Sequence, residues 1–318
     1  MFLDKCLDKT SCMLLIVESC DVQSVQTMRR SLVSRNRLKA IIKEKFAINN
    51  RNWGIYAALF QTVDKLAGVS KYPVVGPILK KILRFDHPEK NYTQGYVINL
   101  DKSLRDSQNV VLPITLVEKA IQESSYRAIM HKCICRDGGV KCRDYPADFG
   151  CIFIGEGSRV TEKRGIARSV SIDEALAHIR KAAGYGLVCQ TIWVEAEEFV
   201  WGIDSDKLHH FLEICFCCPC CCIALKNYRR VGKDIQDRFR SVGWKAHVLK
   251  ECTACGVCET RCPKQAIRIQ NQQVSVTEDC IGCGFCAAVC QENAIDIDQI
   301  SPMKEHINDY FFGFRPEV

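Results

Sequence analysis

One four-cysteine pattern occurs twice in this chain. ECTACGVCETRCPKQAIRI begins at Glu251, and DCIGCGFCAAVCQENAIDI begins at Asp279. Cys252, Cys255, Cys258 and Cys262 each find a counterpart 28 residues later, in Cys280, Cys283, Cys286 and Cys290. The acid before the first cysteine and the Ala-Ile pair after the last repeat as well, so the segment is an internal duplication. The spacing is C-x2-C-x2-C-x3-C in both copies. Three thiolates on one tight loop can grip three irons of a cubane, while the fourth, at the start of a helix, points away toward a second cluster. Gly256, Gly282 and Gly284 let the backbone wrap closely, and amides exposed there can bond to sulfide.

This pair of runs resembles the bacterial-type ferredoxin with two [4Fe–4S] clusters, over about residues 245–300. The resemblance implies that cluster I is held by Cys252, Cys255, Cys258 and Cys290. It implies that cluster II is held by Cys280, Cys283, Cys286 and Cys262. It also implies a small α+β module of two short hairpins and two helical turns that passes single electrons. One departure is visible: proline follows the fourth cysteine at Pro263, but Gln291 stands at the second position, which puts the local turn in question. Zinc is the competing reading, but zinc sites favour paired C-x2-C knuckles over a four-cysteine run repeated. Ala266–Ile269 and Val274–Val276 flank Gln270-Asn271-Gln272 as a hairpin, and Ala294–Ile297 closes the second half.

The rest of the chain is far larger than such a module needs. It has 318 residues, 47% hydrophobic and 25% charged, enough for two domains or more. The expected class is α+β. A basic helical segment (1–90) and a cysteine-rich α/β domain (91–240) precede the ferredoxin-like domain and tail (241–318). No apolar run reaches the roughly 18–20 residues of a membrane helix, and the N-terminus does not read as a signal peptide, so a cytoplasmic location is expected. In a reducing compartment, 22 cysteines point to metal or redox chemistry rather than disulfides. The net charge of +7 is uneven: residues 29–90 carry 14 basic and four acidic residues, and residues 251–300 carry three and seven. The basic segment reads as a helical packing layer with a solvated face, built on Ile41, Ile42, Phe46, Ile55, Ala58, Leu59, Val63 and Leu66. The sharper alternative is a docking surface for an acidic redox partner or a membrane surface. No nucleic-acid motif accompanies the charge.

In the middle, Tyr96–Leu100 reads as a strand and Pro113 as the start of a helix running to about Met130. That helix delivers Cys133 and Cys135; Cys142 and Cys151 follow on a Gly- and Asp-rich loop. Ser171 and Glu174 form a capping box opening a helix that keeps Leu176 and Ile179 on one face and stops at Gly184. Gly186–Val194 reads as a buried strand holding Cys189 as ordinary core. Cys6, Cys12 and Cys20 have no usable mutual spacing. A helix from Asp204 is expected to run into ICFCCPCCC, residues 214–222. On a helix Cys215, Cys218 and Cys222 share one face and Cys217, Cys220 and Cys221 another, until Pro219 disturbs it.

Two groups therefore need each other: Cys133, Cys135, Cys142 and Cys151, and Cys215, Cys217, Cys218, Cys220, Cys221 and Cys222. Ten thiols suffice for one or two additional iron–sulfur clusters. Structural zinc, a thiol/disulfide centre and plain buried thiols are the alternatives. Arg136 and Lys132 can neutralise a negative cluster. His131, His209 and His210 lie near in sequence and read as surface or core residues before ligands; Trp193, Trp201 and Phe216 read as packing. There is no P-loop, dinucleotide fingerprint, radical S-adenosylmethionine run or haem-attachment motif, so ATP, NAD, S-adenosylmethionine and covalent haem find no support. Three functions remain: electron transfer between the tail and a further centre or partner, a reductase of a small substrate at a middle-domain cluster, and a structural or assembly subunit of a redox complex.

Overall fold

The computed structural model describes residues 40–82, 94–98, 113–138, 142–193, 196–228 and 230–311. Cys6, Cys12, Cys20 and the basic residues of 29–39 and 83–90 lie outside the described residues. Residues 1–47 and 48–318 are two compact units. The described part of the first is a helical stretch over 40–46.

Seven strands organise the second unit: β1 (Gln94–Ile98), β2 (Arg127–Met130), β3 (Ile152–Ile154), β4 (Ala167–Ser169), β5 (Val188–Trp193), β6 (Leu212–Cys217) and β7 (Phe239–Ser241), in the order β4-β2-β3-β6-β5-β1-β7. All neighbours are antiparallel except β1 and β7. Every residue of β3 is buried, and all but one in each of β5 and β6, as expected of central strands covered on both faces.

Helices α1 (Trp53–Leu66), α2 (Val75–Ile82), α3 (Pro113–Glu123), α4 (Ile134–Asp137), α5 (Ile172–Gly184) and α6 (Ile223–Asn227) surround this sheet. The α5 capping box is present: Ser171 Oγ accepts from the Glu174 amide (3.2 Å), and the Glu174 carboxylate accepts from the Ser171 amide (3.1 Å). Its buried face is Ala175, Ile179 and Ala182, with Leu176 at the margin. Among the described side chains of α1, Trp53 and Ala57 are buried, and Ile55 and Leu59 face solvent. Apolar residues occupy both sides of this helix, so their spacing alone does not choose the inner side.

Two expected helices are shorter or replaced. The one beginning at Pro113 ends at Glu123 rather than near Met130. There the buried Ser124 hydroxyl donates to the Tyr126 carbonyl (2.8 Å) and accepts from the Gly155 amide (2.8 Å), and the chain re-emerges as β2. The expected helix through 214–222 is instead a short turn at Leu208–His210 followed by β6. A short apolar run is compatible with either state, and here its place between β3 and β5 decides.

The last part holds β8 (Trp244–Val248), α7 (Val257–Arg261), β9 (Ile267–Gln270), β10 (Gln273–Val276), α8 (Phe285–Ala288) and β11 (Ile295–Gln299). β9 and β10 form the expected hairpin. The second ribbon is not a hairpin: β11 pairs with β8, which precedes the first cysteine. The duplication thus becomes an internal two-fold. Leu249 N–H donates to Ala294 O (3.0 Å), and Thr277 N–H, 28 residues on, donates to Ala266 O (2.8 Å).

Candidate metal centres

The repeat governs the backbone as well as the ligands. Ala254, Gly256 and Gln265 have positive φ (53°, 86° and 52°), and so do their counterparts Gly282, Gly284 and Asn293 (64°, 81° and 49°). These turns aim the fourth cysteine of each run. Ala266 N–H donates to Cys262 Sγ (3.2 Å), and Ala294 N–H donates to Cys290 Sγ (3.3 Å). The turn after each fourth cysteine closes with the same bond, from Gln265 N–H to Cys262 O and from Asn293 N–H to Cys290 O, both 3.2 Å. Gln291 therefore keeps the turn that Pro263 makes.

Cys262, Cys280, Cys283 and Cys286 line one small pocket with Ala246, Ile267 and Ile281. They are the four residues assigned to cluster II, three from one run and the fourth from the other. Burial pushes the Cys283 and Cys286 thiols up, as expected where thiolates require a metal to neutralise them. Ala246 N–H donates to Cys280 Sγ (3.4 Å). The donor set and its amide bonds fit a [4Fe–4S] cluster, which supplies one-electron chemistry when bound. On the other side Cys255 is exposed and Cys252 and Cys290 are half-buried. Cys258 alone of that set is buried, so the residues assigned to cluster I lie nearer the surface than those assigned to cluster II.

The middle cysteines are sorted by the sheet. β6 pairs Cys215 with Gln190, Cys217 with Val188 and Glu213 with Phe153. Directly paired residues project to one face, so Glu213, Cys215 and Cys217 share it with Gln190. Cys189 pairs with Phe216 on the opposite face and is fully buried there, in the core. Cys215 and Cys217 are therefore neighbours; of the helical grouping of Cys215 with Cys218 and Cys222, Cys222 reaches Cys217 on this face and Cys218 goes elsewhere.

Six thiols close a ring on that face. Cys151 and Cys215 Sγ lie 3.2 Å apart, and Cys217 and Cys222 Sγ lie 3.3 Å apart. Cys133 hydrogen-bonds with Cys135 and Cys151, Cys135 with Cys222, and Cys215 with Cys217. Bonds from Cys135 and Cys151 hold the Cys133 thiol well below its usual range, and bonds from Cys215 and Cys222 lower that of Cys217. Glu213, which belongs to no sequence motif, accepts from Cys215 Sγ at 3.0 Å. Burial raises its carboxyl above the usual range. A charged residue inside an otherwise apolar strand, LEICFC, was the available signal.

The other four thiols gather separately. The Sγ atoms of Cys142, Cys218, Cys220 and Cys221 all lie within 4.8 Å of one another. Within the ring, the potential ligand atoms of Cys151, Glu213 and Cys215 likewise lie within 4.8 Å of one another, and among the described residues no histidine joins that trio or the four thiols. His131 is exposed and His209 stacks on Trp193, ring centroids 5.6 Å apart.

Arg136 stands between the two groups and is 1% exposed. It donates to the carbonyls of Pro146 (3.0 Å), Phe216 (2.8 Å) and Phe149. Burial works against its charge, but its interactions with Cys133, Cys151 and Cys218 outweigh that and hold the guanidinium well protonated. Lys132 instead faces Asp137 at 3.4 Å, half in solvent. His178, which no spacing rule singles out, stacks on Phe149 (3.9 Å between centroids) and bonds to Gly150 O at 2.9 Å, bracing the segment that leads to Cys151. Burial lowers its pKa to about 4.

The ring and cluster II share one apolar cluster, in which Cys217, Cys222, Tyr228, Ile281, Cys283 and Phe285 pack together. Tyr228 is 2% exposed; its hydroxyl accepts from Gln190 Nε2 (2.5 Å), and Gln190 Oε1 accepts from Cys217 Sγ (3.6 Å). The Lys264 ammonium sits 5.3 Å from the Tyr228 ring centroid. Cys135, Cys215, Cys222 and Glu213 open on a largely apolar cavity of about 420 Å³, which Phe60, Trp201 and Tyr228 also line.

A family model described as a 4Fe-4S dicluster domain matches residues 246–291, which leaves the N-terminal part uncovered. No curated protein and no solved structure matches the chain. Among the described residues no helix is long and apolar enough to cross a membrane.

Proposed function

We propose that the protein is an iron–sulfur electron carrier in which the two-cluster module exchanges electrons with a further centre held by the six-thiol ring. The dicluster match supports iron–sulfur electron transfer at residues 246–291. The observation that carries the finer reading is the shared apolar cluster, in which Tyr228 packs with Cys217 and Cys222 of the ring and with Cys283 of cluster II. Electrons enter at cluster I, beside the exposed Cys255, and move inward through cluster II. Six thiols, four of them buried and Cys135 and Cys215 half-buried, cannot all ionise in a largely apolar site without bound cations, and iron supplies them. The test is stepwise reduction of anaerobically purified protein followed by EPR. A paramagnetic centre beyond two cubanes, magnetically coupled to cluster II and lost in Cys217→Ser, is expected. Signals of two cubanes alone, unchanged by Cys217→Ser, defeat the reading.

A second reading is favoured by the cavity. An apolar space of about 420 Å³ touching three ring thiols and a buried carboxyl is suited to a small organic substrate reduced at the ring. A screen of small aromatic oxidants with reduced protein tests it. Turnover abolished by Ala224→Phe, which fills the cavity, supports a reductase; turnover indifferent to that change places any reduction elsewhere.

A further inference from the structure

The ten middle-region thiols are not one ligand pool. Six form the ring on the sheet face. The remaining four come from two loops: Cys142 from the segment after α4, and Cys218, Cys220 and Cys221 from the turn after β6. Pro219 ends the strand pairing at this point, and the turn it makes lets the adjacent residues Cys220 and Cys221 direct both sulfurs to one spot, 3.6 Å apart. Cys142 Sγ reaches the same spot from the other loop, 3.5 Å from Cys220 Sγ.

The spacing discriminates between metal centres. Thiolates about 2.3 Å from one tetrahedral ion stand about 3.8 Å from each other. The four sulfurs here lie within 4.8 Å of one another, with close pairs at 3.5 and 3.6 Å. A cubane binds each thiolate at a separate iron corner, outside its core, so its four thiolates must stand farther apart than those around one ion. Four thiolates around a divalent ion leave a surplus of negative charge. Arg136, buried beside Cys218, is placed to offset it.

We propose that Cys142, Cys218, Cys220 and Cys221 hold a single tetrahedral metal ion, zinc, that staples the 142 loop to the turn after β6. All four positions are filled by protein sulfur, so the ion is structural and takes no substrate. It fixes the chain from which Cys217 and Cys222 approach the ring, and it stands whether or not the ring carries a cluster. Mononuclear iron shares the same ligand chemistry and is separated from zinc by the metal analysis.

The experiment compares metal and acid-labile sulfide in the full-length protein, purified without oxygen, with those in Cys142→Ser and Cys220→Ser. The expected result is one zinc per chain in the parent and a several-fold loss of zinc in each variant, with iron and sulfide retained. One sulfide-free iron lost in place of zinc keeps the site and overturns the choice of zinc. A loss of iron and sulfide in fours makes the site a cubane and overturns the proposal. So does a parent that binds no ion there, or that carries a Cys142–Cys220 disulfide by mass. Should the variants not fold, X-ray absorption at the zinc edge of the parent decides. Four sulfurs at about 2.3 Å support the site, and nitrogen or oxygen ligands overturn it.

Discussion

The two cysteine-rich regions of this molecule solve one problem by different means. In the C-terminal module, each four-cysteine set assigned to a cluster draws three residues from one short loop and the fourth from its duplicate. The ligand set is therefore written in local spacing. In the middle region, thiols separated by as many as 89 positions, Cys133 to Cys222, gather around β6 and the loops beside it, where β6 lies between β3 and β5. The difference teaches that a motif legible in sequence is one whose geometry is set by its own backbone. A site assembled across strands depends on register, which no single segment records.

The largest effect that sharpens this comparison is loss of a ligand. Cys283→Ser should remove about half of the module's iron, because it deprives one of two cubanes of a ligand. The ring should respond differently. With six thiols available, Cys135→Ser should cost less iron than Cys283→Ser, since a neighbouring sulfur can take its place. Iron and sulfide analysis of both variants checks this. Equal losses would mean that the ring has no spare ligand and behaves like the module.

How far the site was legible follows from the same contrast. The eight cysteines of the repeat, the β9–β10 hairpin and the α5 capping box all rest on residues within a few positions of each other. The nature of β6 did not. Ile214–Cys222 has no turn signal before Pro219, and a short run of apolar residues and cysteines fits a helix or a buried strand equally. Reading it as a helix grouped Cys215 with Cys218 and Cys222. As a strand it places Cys215 beside Cys217 and leaves Cys218 with Cys220, Cys221 and Cys142. Glu213 was visible as a lone charged residue in an apolar strand, a signal of a buried polar site that spacing rules for cysteine do not use.

The next effect tests whether the middle region depends on its buried cation. Arg136→Met keeps much of the volume but leaves the carbonyls of Pro146, Phe149 and Phe216 without their donor, and the thiolates without a counter-charge. Breaking such a buried arrangement costs about 3–5 kcal/mol. Denaturant unfolding of the full-length protein should show that loss. The module's cubane signals should survive in the folded variant, since no hydrogen bond of Arg136 reaches its cysteines. Loss of both would mean that the middle region and the module stand or fall together.

A smaller effect appears with pH. His178 has its pKa lowered from the usual 6.5 to about 4 by burial against Phe149. The unfolded chain therefore binds a proton at higher pH than the folded one. The sign is fixed: stability is unaffected above the unfolded pKa and falls as the pH drops from about 6.5 toward 4, by about 2–3 kcal/mol in all. His178→Phe, which retains a ring against Phe149, should flatten that acid limb after the Gly150 hydrogen bond is discounted. Unfolding curves for both proteins between pH 7 and 5 check this. An unchanged slope would assign the acid sensitivity to other groups, the thiols among them.

The smallest effect lies inside the repeat and asks how equal its halves are. Ala254 and Gly282 are counterparts with similar backbone angles, φ of 53° and 64°. Only the first tolerates a side chain. A Cβ at Gly282 would stand 2.5 Å from Trp244 O, because β8 runs beside the second loop. Gly282→Ala should therefore destabilise the module by about 1–3 kcal/mol. Ala254→Gly relieves a left-handed alanine while adding chain entropy, and these oppose each other, so it should move stability by less than about 1 kcal/mol. Thermal unfolding and the rate of cluster loss under oxygen compare the two directly. Equal responses would mean that β8 yields to the added methyl. The expected inequality would mean that the second loop is held by its contact with β8, the strand that directly precedes the first motif.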